Sequence, residues 1–263
     1  MDIFGKKIAV GKAQIRVPRD MVWCFEQGTF YESNVIYWLK KVFDKRGDHV
    51  FYDVGANIGY YAVLAAQQAA KVYAFEPVRK TFKTLSGNVH RNRFANVELF
   101  QIGLSDENGT RVIHVYSSSG NNSIYKRALP PGHALRWMRT EEIQLARADD
   151  LVAAKRLLKH TIIKVDVEGA ELPMLRGASG LIATARPILF MELSENTFRD
   201  AGYTSADLLA ELRRHDYFIL GLSEDVEDLM LYPIGAETVI ANIIAFPDAA
   251  SVPGEISNAA KHE

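Results

Sequence analysis

His49-Val-Phe-Tyr-Asp53-Val-Gly55-Ala-Asn57-Ile-Gly59 runs an apolar strand into a glycine turn and on into a helix, and a second apolar strand, Lys71 to Phe75, soon delivers Glu76. The chain must reverse sharply at the strand end and let a ligand approach main chain, which a Cβ at Gly55 or Gly59 would obstruct. An acid roughly 20 positions on is placed to hold a ribose diol. Together these features predict a nucleotide-type cofactor site. A ligand-free βα turn would explain the glycine pair but not the arrival of Glu76.

Two cofactors compete for this pattern, a dinucleotide and S-adenosylmethionine (SAM). A pyrophosphate needs open amides at a helix N-terminus and no nearby anion, whereas this turn carries Asp53 at the strand tip and puts Tyr60 where a third glycine would stand. Asp53 repels phosphate and suits the cationic amino group of a methionyl end. The residues therefore favour SAM.

The 263 residues are long enough for one large α/β domain with a sizeable core. A formal net charge of −1 and 24% charged residues give no global attraction to nucleic acid or to an anionic membrane, so any polyanion site must be local. The single cysteine, Cys24, rules out an intrachain disulfide framework and has no partner for a metal site, which fits a reducing cytoplasmic setting. Met1 to Lys12 lacks a signal pattern, and no apolar run approaches the ~20 residues of a membrane span. The expectation is a soluble cytoplasmic protein; the sequence leaves oligomeric state open.

From residue 49 onward, short β-rich runs alternate with helical patterns, the signature of a parallel sheet with crossover helices. Strands are predicted at His49 to Asp53, Lys71 to Phe75, Val97 to Ile102, Arg111 to Tyr116, Ile143 to Arg147, Thr161 to Asp166, Pro187 to Leu193, Tyr217 to Leu222 and Thr238 to Phe246. Helices are predicted at Ile58 to Ala70, Pro77 to Arg93, Ala170 to Gly177 and Ser205 to His215, with Ser205 as N-cap and Gly177 and Gly180 as breaks after a helix. The sheet is thus doubly wound, and its last two strands, with no long helix between them, predict an antiparallel ending of the kind many SAM-dependent folds have. Residues 1–48 form a cap segment with an aromatic-rich stretch and a helix over Asn34 to Asp44, expected at the cofactor edge. Residues 49–247 form the main domain. Residues 117–140 are a long polar, Pro- and Gly-punctuated loop insertion, and 248–263 read as a disordered tail.

The second constellation is Thr161-Ile-Ile-Lys164-Val-Asp166-Val-Glu168-Gly-Ala-Glu171. A short apolar strand seldom carries a lysine and then ends in carboxylates, because an unpaired buried charge is costly. With a period of two, Lys164 and Asp166 share a face, so an ion pair at the carboxyl end is geometrically natural. Ligands of open parallel sheets bind outside the carboxyl ends of the strands, so Asp166 is expected beside the cofactor loop, with Glu192 brought to the same edge by the next strand. A buried Lys-Asp pair that only holds the sheet together is the structural alternative. Glu171 reads as an exposed helix residue or first-turn dipole partner. Asp166 and Glu192 are hard oxygen ligands that suit a divalent cation, but no clear third carboxylate accompanies them and no metal is assigned.

Taken together, Tyr31-Glu32, Asp53-Val-Gly-Ala-Asn-Ile-Gly59, Phe75-Glu76-Pro77, Gly103-Leu-Ser-Asp106 with Gly109, Lys164-Val-Asp-Val-Glu-Gly-Ala-Glu171 and Met191-Glu192 resemble the FkbM family of SAM-dependent methyltransferases over roughly residues 28 to 246. The first glycine motif is shared by most methyltransferases; joined to Lys-x-Asp-x-Glu-Gly-x-Glu it becomes much more specific. The resemblance implies a Rossmann-like class I methyltransferase sheet, SAM as cofactor, and methyl transfer to a hydroxyl of a sugar, glycolipid or polyketide. The 117–140 insertion matches only loosely.

On this reading Asp53, Gly55, Asn57 and Gly59 hold the methionyl part, Glu76 the ribose, and Ser105 with Asp106 the adenine edge. Tyr31, Glu32, Tyr60, Pro77 and Asp166 complete the cofactor surroundings. Asp166 or Glu168 is the base, Lys164 orients the carboxylate or lowers the acceptor's pKa, and Glu192 joins them in the catalytic group. Asn121, Asn122, Ser123, His133, Arg136 and Arg139 are expected to meet a polar hydroxylated small-molecule or glycan acceptor. A nicotinamide-dependent sugar oxidoreductase and a non-catalytic SAM-binding protein are the rivals. A nucleic-acid methyltransferase would want a broad basic face that the net charge does not advertise.

Overall fold

A computed structural model describes residues 5–25, 32–43, 48–153, 160–223, 231–233 and 242–252. Its centre is an eight-stranded sheet. The strands at the core are β3 (Val50–Val54), β4 (Lys71–Phe75), β5 (Val97–Phe100), β9 (Thr161–Val165) and β10 (Ile188–Glu192), all parallel, with β3 between β4 and β9. β11 (Phe218–Leu222) follows the same direction but does not touch β10, because β13 (Asn242–Phe246) inserts antiparallel between them, and β12 (Leu231–Pro233) closes the far edge. The antiparallel ending is therefore present, as an inserted strand. Residues 238 to 241 of the last predicted strand lie outside the described residues.

The apolar residues of β3 and β9 alternate between faces, as period two requires. Phe51 and Ile162 pack with α1 (Ser33–Phe43), α2 (Tyr60–Ala65) and α3 (Arg79–Arg91), while Val50, Tyr52, Ile163 and Val165 pack with α5 (Glu171–Gly177), α6 (Ser179–Ala185), α7 (Glu195–Ala201) and α8 (Ser205–Arg214). The sheet is doubly wound. α4 (Ala148–Ala153) precedes β9. A smaller sheet of β6 (Gly103–Leu104), β7 (Gly109–Tyr116) and β8 (Trp137–Ala146) stands over a third apolar cluster of Ile113, Val115, Ile143 and Leu145.

Several elements differ from the sequence expectations. A hairpin of β1 (Lys6–Val10) and β2 (Ala13–Val17) precedes the core, and the side chains of Asn88 on α3 and of Asn92 just past its end hydrogen-bond the backbone of Arg16 and Gln14. Its short run of lysines and small residues gives no strong strand signal. β8 begins at Trp137, so residues 137–140 of the expected loop are strand; they form an outer ribbon with β7 and lack the inward apolar alternation that would reveal them. Gly180 does not break the chain but sits in α6, where Asp149 accepts hydrogen bonds from the Gly180 and Leu181 amides. α7 was not expected. The N-cap of α8 is Thr204, which forms a capping box with Asp207, and Ser205 is the first helical residue. At the expected disordered tail, Asp248 caps a short 3₁₀ turn over Ala249–Ser251 and Val252 is buried; residues 253–263 lie outside the described residues.

The glycines of the first turn serve the protein before any ligand. Gly55 has φ +83°, and a Cβ there would stand 1.8 Å from the Asp166 carbonyl oxygen; a Cβ on Gly59, at φ +87°, would strike the Leu85 side chain. The loops after β3 and β9 thus touch backbone to backbone. We expect Gly55→Ala to destabilise the fold by about 3 kcal/mol or more, read as a fall in the urea midpoint; a loss below about 1 kcal/mol would show that this approach can relax.

Candidate active site

Gly55 to Ile58, Glu76 and Pro77 after β4, Gly103 and Leu104 of β6, Lys164 of β9, and Asp166 and Glu168 just past it line one cleft. Its opposite wall is apolar, formed by Ile113, Ile143 and Leu145 of the small sheet, and Met21 and Phe25 of the N-terminal segment close one side. The side chain of Trp23 and residue Tyr31 lie outside the described set.

Glu76 is buried at the cleft, its two oxygens accepting the Asn57 amide at 3.1 Å and the Val78 amide at 2.8 Å. Burial pushes its carboxyl up to about 8, against the pull of those two amides. Each oxygen keeps a lone pair for a hydroxyl. Asn57, at φ 47°, is held on its side chain by the Ser119 hydroxyl at 2.9 Å, which ties the turn to the 117–140 insertion.

Lys164 is 5% exposed in the middle of the sheet. Its ammonium donates to Asp166 at 2.9 Å, stands 3.9 Å from Glu32 and lies 4.5 Å from the centre of the Tyr61 ring, whose hydroxyl donates to Glu32 at 2.7 Å. Burial alone would lower the lysine's pKa, but Asp166 and then Glu32 raise it, and the group stays charged. Asp53 is the β3 neighbour of Lys164; burial pushes it up to about 7 although the ammonium opposes this, and its Oδ2 has no hydrogen-bond partner.

Asp166, Glu168 and Glu192 converge, with one oxygen from each lying within 4.8 Å of the others. The sequence reading found no third carboxylate beside Asp166 and Glu192; Glu168 supplies it. Two of the three already hold an internal cation, Asp166 through Lys164 and Glu168 through Arg127. Glu168 takes the left-handed conformation at φ 54°, and the Ser123 hydroxyl donates to its carbonyl. Burial, followed by repulsion from Asp166, raises Glu168 to about 8 and Glu192 well above the usual carboxylate range. Glu171 is fully buried, not exposed as expected, and closes its own turn by accepting the Val167 and Gly169 amides and the Tyr203 hydroxyl.

Glu168 also lines a second cavity, with Glu192, Arg127, Asn121, His133 and Arg199 among its polar residues and Leu129 and Leu135 among its apolar ones. The two cavities meet at Glu168.

Of the expected cofactor residues, Gly55, Asn57, Tyr60, Glu76, Pro77 and Asp166 line the first cleft. Asp53, Gly59 and Glu32 are not among its lining residues; Asp53 and Glu32 belong to the Lys164 charge cluster and Gly59 lies against Leu85. Ser105 and Asp106 face a separate depression with Tyr125 and Arg176; the residues before them, Gly103 and Leu104, reach the cleft instead. Of the expected acceptor residues, Asn121 and His133 line the second cavity and Asn122 the first. Ser123 spends its hydroxyl on the Glu168 turn, Arg139 pairs with Glu141 at 2.9 Å, and Arg136 and Arg139 line neither cavity. Sequence reasoning missed Arg127 and Arg199, since nothing in the sequence separates a buried arginine from a solvated one.

The family described as "Methyltransferase FkbM domain" matches residues 53–219, and the chain belongs to that family. Its cofactor is accordingly S-adenosylmethionine, and the nicotinamide-dependent alternative falls away. The donor set fits the cofactor: a buried acid with free lone pairs for a ribose, an apolar wall for a base, and carboxylates near a cationic methionyl end. The chain is similar to the hexuronic acid methyltransferase AglP of Haloferax volcanii, 30% identical over 158 residues that make up 60% of this chain and 61% of that protein. It is also similar to the 31-O-demethyl-FK506 methyltransferase FkbM of Streptomyces tacrolimicus, 28% identical over 53% of this chain and 63% of that one. Both matches span under two thirds of the relative's length. A solved methyltransferase FkbM from Methylobacillus flagellatus KT aligns with a TM-score of 0.48 at 20% identity, covering 76% of this chain and 44% of that chain. Among the described residues, no helix is long and apolar enough to cross a membrane.

The raised carboxyls make stability depend on pH. Glu76 sits at about 8 in the fold and near 4.5 ordinarily, so between these values the folded chain binds a proton that the unfolded chain has lost. Its contribution is complete below the ordinary carboxylate value and is lost as pH rises through about 8. We expect the ligand-free protein to melt higher at pH 6 than at pH 8.5, and Glu76→Gln to flatten that slope; an unchanged slope would place the Glu76 pKa near its ordinary value.

Proposed function

We propose that this chain is a SAM-dependent O-methyltransferase acting on a hydroxyl of a small molecule or glycan, with the acceptor in the second cavity and Glu168 as the base. The observation that carries the reading is the convergence of Asp166, Glu168 and Glu192 where the two cavities meet. Bound SAM supplies an electrophilic methyl group. The protein's part is to align an acceptor oxygen with it and to take the hydroxyl proton as the bond forms.

Glu168 suits the proton transfer because it alone of the three lines both cavities, and because a carboxyl raised to about 8 holds a proton more readily than an ordinary one. Asp166 is committed to Lys164 and serves to fix the turn and its charge. Glu192, raised by burial and open to the second cavity, is suited to hydrogen-bond an acceptor hydroxyl. A hydroxylated acceptor is supported by a lining that mixes donors (Arg199, Asn121) with acceptors (Glu192, Asp200). The name of one relative, a 31-O-demethyl-FK506 methyltransferase, agrees with transfer to oxygen, and that of the other, a hexuronic acid methyltransferase, with a sugar-type acceptor.

Calorimetry with SAM, NAD and NADP should give micromolar SAM binding and none for either dinucleotide. Transfer of labelled methyl from SAM should then be found in a panel of hydroxylated sugars, hexuronic acids, glycolipids and polyketides. Glu168→Gln should keep SAM affinity within about threefold and lower turnover by roughly 10²-fold or more. An equal loss of both in Glu168→Gln would assign Glu168 to the cofactor site. SAM binding with no transfer to any acceptor would favour a non-catalytic SAM-binding protein.

A further inference from the structure

The net charge of −1 conceals a strong segregation. From Pro77 to Asn96 the chain carries Arg79, Lys80, Lys83, Arg91 and Arg93 and no Asp or Glu, and from Ser117 to Thr140 it carries four Lys and Arg, again with no acid. The fold brings the first of these runs to the surface on one side. α3 buries Leu85, Asn88 and Val89 against the core, and its exposed positions are Arg79, Lys80, Lys83, Gly87, His90 and Arg91, the helical spacing of a single face. That face continues into β8, because Glu141 accepts the Arg79 amide on one oxygen at 2.8 Å and the Arg139 guanidinium on the other at 2.9 Å. Lys80, Lys83 and Arg136 have no ion-pair partner among the described residues.

Beside these cations stand Trp137 and Met138, 54% and 56% exposed. Of the four large apolar side chains exposed among the described residues, three (Val112, Trp137 and Met138) lie on the β7–β8 ribbon. The segment leading into that ribbon also walls the acceptor cavity, through Leu129, Pro130 and Leu135.

We propose that the exposed face of α3 and the adjoining end of β8 dock this protein on an anionic lipid bilayer, with the acceptor cavity opening close to the lipid surface. Unpaired lysines and arginines supply the attraction to anionic headgroups, and an exposed tryptophan beside a methionine supplies the apolar anchor that sits at the headgroup boundary. Nucleic acid would use the same cations, but the remaining features oppose it. Among its described lining residues the acceptor cavity has no Phe, Tyr or Trp on which a base would stack. The exposed acid of β8, Glu142, pairs across the ribbon with Val112, whereas Arg139 and Glu141 are the β8 residues linked to Arg79.

The test is sedimentation of the full chain with vesicles of phosphatidylcholine alone and with vesicles that also contain phosphatidylglycerol. We expect binding to the anionic vesicles at least about tenfold stronger than to the neutral ones, and its loss in high salt. The double variant Lys80→Glu/Lys83→Glu should weaken that binding roughly tenfold or more, and Trp137→Ala/Met138→Ala should weaken it while keeping the salt dependence. Unchanged calorimetric SAM binding in both variants shows that each is folded. No preference of the parent chain for anionic vesicles overturns the proposal, as does binding that neither double variant alters. Retention of single-stranded RNA without vesicle binding overturns it in favour of a nucleic-acid surface.

Discussion

An ammonium buried in the centre of a parallel sheet is the constraint around which this molecule is arranged. Lys164 cannot give up its charge, because Asp166 and Glu32 hold it, and it cannot be left alone, because an uncompensated buried charge costs several kcal/mol. Its partners come from three separate places in the chain: Glu32 before α1, Asp53 in β3 and Asp166 just past β9. Satisfying one side chain therefore fixes the N-terminal segment and two strand ends together. The Asp166 turn lies against Gly55 so closely that no side chain fits there, so the two halves of the site are positioned by one another before any ligand arrives.

A second cation repeats this arrangement on the acceptor side. Arg127 comes from the long insertion, is largely buried, and pairs with Glu168, while Ser123 of the same insertion fastens the Glu168 turn through its carbonyl. Ser119 reaches in the other direction, to Asn57 in the cofactor turn. The insertion is thus bonded to both motifs, and the acceptor cavity and the cofactor cleft share a wall that depends on it. Variation in this segment would alter the setting of Glu168 as well as the acceptor surface.

What was legible in the sequence follows from how local each signal is. β3, β4 and β9 could be found because buried parallel strands are short continuous apolar runs, and the glycine turn and Glu76 because their spacing is fixed by one βα unit. The Lys164–Asp166 pair follows from strand periodicity alone. The small sheet was half legible: the inner part of β8 alternates, but Trp137 to Thr140 are all exposed and give no pattern. Glu171 read as a surface residue because its amide partners, Val167 and Gly169, are supplied by a turn whose shape the sequence does not reveal. Gly103 and Leu104 of the short β6 line the cleft, whereas Ser105 and Asp106 just past it line a separate depression, a difference of one step that the sequence does not display. Arg127 lies beside Lys126 in the sequence, one buried and the other exposed, and only the fold distinguishes them.

The insertion of β13 between β10 and β11 bears on how the chain is made. During synthesis β10 emerges well before residues 242–246, and until they arrive its outer edge, Leu189 to Met191, has no partner. β11 cannot serve as a stand-in without occupying the place of the missing strand. The nascent protein thus carries an open apolar sheet edge, the kind of surface that pairs with other chains, while about fifty further residues are translated. Such a chain depends on being shielded while it grows, and a pause in translation between residues 192 and 242 would hold it in its most aggregation-prone form.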